Sequence, residues 1–279
     1  MHFLFPLLSV LSESIAKAID KVNYNKNNIK PRELLFILFS TMAVGTGVSL
    51  LFIDQEFPVF SLGLAFLLAL VIIISFAQNF FDYVGLSTKN LSLREPISNL
   101  QPILAGFLAY LIFPSERNTK YIAAIVLGVI ITYLGSSRRK GKFSVDSGVA
   151  YLFLGTVCSA ILVNIYKLGL ETIPALYLFL FRATGVVVLV LLFFKPNFKS
   201  IKKNHIKLGV SSGLIYILGN IGQLYSIQYL GLNLTILLLL LGPGAVYLAS
   251  SLVLKEKVQY RQIVTSAALL TVIIWATYF

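Results

Sequence analysis

Apolar runs of helical length alternate with short polar breaks along the whole chain. Ten such runs can be marked, at 3–19, 33–53, 59–84, 93–113, 121–135, 147–168, 173–194, 207–230, 232–254 and 261–279. Within each run the apolar positions are continuous rather than alternating. A membrane-spanning strand would show lipid-facing and lumen-facing residues in turn, so the pattern predicts helices and not a barrel. A helix of about 20 apolar residues crosses the hydrocarbon layer with every backbone amide paired inside its own segment. The expected fold class is therefore an all-α integral membrane protein of ten transmembrane helices. The stretch 1–6 lacks the positive leader of a cleavable signal and reads as part of the first span, and the short connections leave no room for an extramembrane domain.

The pattern repeats. Sliding the chain by 141 residues, without a gap, places Leu91-Ser92-Leu93 on Leu232-Asn233-Leu234 and Pro102 on Pro243. The same shift lays Ser75, Asn79 and Asp82 on Tyr216, Asn220 and Gln223. The expected organisation is two five-helix repeats, residues 1–140 and 141–279. Five spans is an odd number, so the second copy enters the membrane in the opposite direction, giving the inverted repeat of many secondary transporters.

Composition sharpens the picture. The 279 residues are 57% hydrophobic and 12% charged, with a mean hydropathy of +0.86. Soluble domains carry roughly a quarter charged residues, so a soluble enzyme is excluded. The net charge of +12 would suggest nucleic acid in a soluble protein; here it fits basic loops against an anionic leaflet, and no nucleic acid is expected as a partner. With the basic residues near span ends (Lys17, Arg94, Lys207, Arg261 and, on the other side, Lys167) counted in the adjoining loops, the odd-numbered loops hold 19 Lys and Arg against 3 in the even-numbered ones. That bias places the odd loops in the cytoplasm and both termini outside a cell membrane, for which a prokaryotic plasma membrane is the default. The single cysteine, Cys158, and two histidines, His2 and His205, supply no metal site, and no cofactor is expected.

At the proline–glutamate segments the chain resembles the drug/metabolite transporter superfamily, in particular its ten-span EamA-type members. The stretches are Leu100-Gln101-Pro102-Ile103-Leu104-Ala105-Gly106-Phe107 with Ser115-Glu116-Arg117-Asn118-Thr119, and Leu241-Gly242-Pro243 with Leu254-Lys255-Glu256-Lys257; Gly128 and Gly135 stand where the family's fifth span has glycines. The resemblance implies a carrier of small metabolites or drug-like solutes, not an enzyme, working by alternating access. It leaves the solute open, and it implies both termini in the cytoplasm, against the loop charge. The nucleotide-sugar and triose-phosphate motifs of that superfamily are absent. The string Val10-Leu11-Ser12-Glu13 with Lys21 further resembles the first span of the small multidrug-resistance relatives, which would make Glu13 a proton-coupling carboxylate.

Polar side chains at bilayer depth are costly and usually face a partner or a wet cavity. Ser75, Asn79 and Asp82 share one helix face, as do Tyr216, Asn220 and Gln223. These faces occupy equivalent places in the two halves and are candidates to line a central site; interhelical hydrogen bonding is the alternative. Glu13 has Lys17 one turn on, so an internal ion pair stands beside the coupling role. Arg182, Asn164 and Lys167 are further candidates, Arg182 because its planar fork suits a carboxylate or phosphate. Pro102 and Pro243, with Gly242 and Gly244, are candidate helix breaks or hinges. Gly209 and Gly213 have the spacing of close-packing small residues. Partners would be a small-molecule substrate, the lipid bilayer and a coupling proton or exchanged solute. A flippase for a lipid-linked sugar is the nearest alternative. A lipid-modifying membrane enzyme is less well served, since no nucleophile–base or metal constellation is visible. Without a Gly-rich phosphate loop, ATP-driven transport is disfavoured.

Overall fold

The computed structural model describes residues 2–27, 29–53, 55–88, 100–135, 147–242, 244–245 and 260–278. All regular structure among them is helical. The helices are α1 (Leu4–Asn27), α2 (Pro31–Leu50), α3 (Leu62–Thr88), α4 (Gln101–Ile112), α5 (Thr119–Gly135), α6 (Ser147–Leu170), α7 (Ala175–Leu189, continued by a π-turn Val190–Phe194), α8 (Lys203–Leu230), α9 (Leu232–Leu239) and α10 (Tyr260–Tyr278). Four stretches are long and apolar enough to cross a membrane: Pro31–Leu50, Leu62–Val84, Ala150–Leu170 and Ala175–Phe194. The expectations for 93–99, for Pro243 and for Leu254-Lys255-Glu256-Lys257 lie outside the described residues.

On α1 the polarity of the packing is inside out. Ser9, Ser12, Ala16, Asp20 and Asn23 recur at helical spacing and are buried, while Leu4, Leu8, Leu11 and Ile15 are exposed. Water would reverse that choice; a hydrocarbon solvent favours it, because polar groups there must find partners in the protein. Aromatic side chains gather in two clusters: Phe57, Phe60, Tyr177 and Phe181 in one, Phe76, Phe80, Phe193 and Phe194 in another.

Local signals set the helix ends. Pro31 opens α2, where its missing N–H costs nothing, and Glu33 follows in the same first turn at the positive end of the helix dipole. Gly231, at φ 81°, separates α8 from α9. A side chain there would be strained, and a Cβ would lie 2.8 Å from Glu116 Oε1.

Packing follows the 141-residue spacing. The shift of 141 that aligns the sequence carries α1 onto α6, α2 onto α7, α3 onto α8 and α5 onto α10 within a few residues. Correspondingly, α1 lies along α8 as α6 lies along α3, while α2 packs on α7 and α5 on α10. Small residues allow the close approaches. Gly209 and Gly213 of α8 meet Ile37 and Thr41 of α2, as their spacing suggested, and Gly219 and Gly222 meet Glu13, Phe5 and Ser9 of α1.

Candidate functional site

Arg182, two turns into the otherwise apolar α7, is 8% exposed and sits where five helices converge. Its Nε donates to Ser75 Oγ of α3 at 2.7 Å and its Nη1 to Asn220 Oδ1 of α8 at 2.7 Å. The guanidinium carbon lies 5.5 Å from the ring centre of Tyr166 (α6), 5.8 Å from Phe39 (α2) and 5.9 Å from Phe179 (α7). The quadrupoles of these aromatic faces attract a cation. No carboxylate among the described residues pairs with Arg182.

The asparagines are held alike. Asn79 donates to Ser75 O at 2.7 Å, and Asn220 to Tyr216 O at 2.8 Å, each one turn back along its own helix. The two positions related by the 141-residue shift thus share one local geometry, and in each the amide nitrogen is turned onto backbone. For Asn220 that leaves the carbonyl oxygen facing Arg182. Asn164 donates to Ala160 O at 2.8 Å and across to Ala105 O of α4 at 3.2 Å. It therefore ties α6 to α4, and its buried Oδ1 has no hydrogen bond.

The remaining polar candidates divide. Tyr216 does not join Arg182; its hydroxyl donates to Asp20 Oδ2 at 3.0 Å, and Ser212 donates to Asp20 Oδ1 at 2.6 Å. Asp20 is buried between α1 and α8 and was not among the residues singled out by sequence. The first span was expected to end at residue 19, whereas α1 continues to Asn27. The signal that would have found it is the small-polar stripe from Ser9 to Asn23. Gln223 makes no hydrogen bond with a described residue, and Asp82 packs against Gly155 of α6, where an added Cβ would lie 2.4 Å from its Oδ1. Glu13 receives Lys17 Nζ at 3.0 Å, with side chains 28% and 43% exposed, so the internal ion pair forms.

Lys167 meets Glu116 rather than the Arg182 cluster. Glu116, on the short turn between α4 and α5, is 6% exposed and accepts from the backbone N–H of Leu232 at 2.7 Å and of Asn233 at 2.9 Å. Asn233 Nδ2 returns a bond to Glu116 O at 2.7 Å. A carboxylate thus satisfies the first amides of α9 and a lysine charge together.

Among the candidate hinges, Pro102 lies in the first turn of α4, and residues 93–99 of its expected span lie outside the described residues. Around Gly242 and Gly244, α9 ends at Leu239 and Leu240–Leu241 form a turn before helical residues resume. A Cβ on Gly242 would meet nothing, one on Gly244 would lie 2.7 Å from Ser266 Oγ. Two surface pockets, about 430 Å³ beside Val59, Ser61, Leu64 and Thr172 and about 340 Å³ beside Lys30, Arg32, Tyr83 and Phe194, do not include Arg182.

Comparison with known proteins places this arrangement. Residues 29–279 match the family described as "Sugar transport protein". No curated protein matches the chain. A solved structure described only as "Crystal structure of protein" superposes with a TM-score of 0.74 over 99% of this chain and 96% of that chain at 14% identity, a likeness of fold alone.

Proposed function

The chain belongs to the sugar transport protein family, a family of membrane transporters of small solutes, and from that premise we propose that it carries a sugar or sugar-like solute by alternating access, with the Arg182–Ser75–Asn220 cluster as its central binding site. The single observation that carries this reading is the position of Arg182, which joins a side chain of the first half to one of the second. Binding sites of secondary carriers lie near the midplane at the junction of repeats. The matched packing of α1 on α8 and α6 on α3 supports two inverted five-helix halves of EamA type, residues 1–140 and 141–279, rocking about that junction. A flippase for a lipid-linked sugar has no specific observation in its favour.

Asn220→Ala removes one partner of a buried charge, a bond of the class worth about 1.5–3 kcal/mol. We expect sugar counterflow in proteoliposomes to fall roughly tenfold or more in this variant, with a monodisperse elution profile retained. Wild-type counterflow for no sugar in a panel of pentoses, hexoses and their acids would defeat the carrier reading.

Loop charge, 19 basic residues against 3, supports cytoplasmic odd loops and both termini outside. A reporter fused after Phe279 is expected to read the external compartment, and a cytoplasmic signal would reverse the orientation.

A further inference from the structure

Resting on the carrier reading, we propose that the solute is anionic, a sugar acid or sugar phosphate, and that Arg182 binds its charged group. A guanidinium stays protonated at any physiological pH, so it cannot escape burial by losing its charge as a lysine can. Holding it 8% exposed with no carboxylate in an ion pair among the described residues is expensive, and such a charge is ordinarily paired; Glu13, whose charge reaches the neighbouring Tyr166, is already engaged by Lys17. Elsewhere in the fold cations are matched, Lys17 by Glu13 and Lys167 by Glu116. Among the described residues Arg182 has a serine hydroxyl, an amide oxygen and three aromatic faces.

Those neighbours orient the group without neutralising it. Two of its five N–H groups are occupied, by Ser75 and Asn220. The remaining N–H groups lie in the rigid plane that matches a carboxylate or phosphate in bidentate fashion. Asn79 and Asn220 each give one of two amide N–H donors to a backbone carbonyl. A neutral sugar binds best where donors and acceptors are mixed around its hydroxyls. Here the unspent groups are mostly donors: three N–H of the fixed cation, one amide N–H on each asparagine and the buried Tyr166 hydroxyl, which has no hydrogen bond, set among aromatic rings against which a sugar face can lie. The ligand charge that completes this set is negative.

The test uses the purified full-length chain in two assays, with glucuronate, glucose 6-phosphate, glucose and inorganic phosphate as probes. In detergent, glucuronate or glucose 6-phosphate is expected to raise the midpoint of heat denaturation by several degrees while equimolar glucose does not. The shift is expected to disappear in Arg182→Gln and to need at least tenfold more ligand in Arg182→Lys, which keeps the charge and loses the fork. The comparison between glucuronate and glucose 6-phosphate tells carboxylate from phosphate. In proteoliposomes, the probe that binds is expected to drive counterflow. Should Arg182→Gln not fold, the Arg182→Lys titration and the wild-type probe preference carry the decision. Stabilisation and counterflow by glucose, unchanged by the acidic sugars and by Arg182→Lys, would overturn the anionic assignment and leave the carrier standing. An anionic sugar that binds through Arg182 without any counterflow would overturn the carrier and leave the site. A response to inorganic phosphate alone, or to no probe at all, would overturn the assignment of an anionic sugar.

Discussion

Glu116→Ala is expected to lower the stability of the folded chain by about 3–5 kcal/mol, the range for breaking a buried charge pair from one side. Three donors converge on this carboxylate: the N–H groups of Leu232 and Asn233 and the ammonium of Lys167. The variant leaves the first turn of α9 without an acceptor and Lys167, its side chain 14% exposed, without a counter-charge. Gly231 fits beside this carboxylate because it has no side chain: a Cβ there would lie 2.8 Å from Glu116 Oε1. Glu116→Gln keeps an oxygen acceptor and drops the charge, so its loss should be intermediate. The measurement is the heat-denaturation midpoint in a mild detergent at neutral pH. A Glu116→Ala midpoint equal to that of the wild type would mean that α9 is held at its start by other groups.

This cap was only half legible. The Glu-Arg turn after the fourth apolar run stood out as part of a family resemblance, but nothing in the sequence says that residue 116 meets residues 232 and 233 across the fold. Segments that are continuously apolar announce helices in lipid, because length and composition alone decide whether a helix can span. They do not announce which face turns inward, and α1 shows the cost. Its polar stripe continues past Ile19 through Asp20 to Asn23, and contact with Ser212 and Tyr216 of α8 supports that extension. Judged by hydropathy it looked like a loop. The polar faces of α3 and α8 were legible as faces, from spacing, but their partners were not: Tyr216 turned to Asp20 and Asn220 to Arg182. Arg182 itself was visible as a charge in an apolar run. Its meeting with Ser75, 107 positions away, is a tertiary fact.

The second large effect is expected at Gly222, on the seam between α1 and α8. A Cβ there would lie 2.9 Å from Phe5 O and 3.3 Å from Ser9 N, and backbone atoms cannot swing aside as a side-chain tip can. Ser9, Ser12 and Ala16 present an equally small surface from α1, so both helices have given up side-chain volume to bring their backbones together. In lipid there is no hydrophobic drive to restore a seam once it is wedged apart, since the tails are as apolar as leucine. Gly222→Leu should therefore cost more than the roughly 1–3 kcal/mol of ordinary overpacking, because the displaced seam also carries the Ser212–Asp20 and Tyr216–Asp20 bonds and the neighbouring Asn220. Loss of monodisperse protein, or a large fall in the heat-denaturation midpoint together with loss of counterflow, is the expected result. Leu218→Phe is the control: one turn away on the same helix, its side chain is 53% exposed on the lipid side, and added volume there meets only lipid. If both variants behave as wild type, α1 and α8 do not approach each other this closely, and the placement of Asn220 beside Arg182 loses its scaffold.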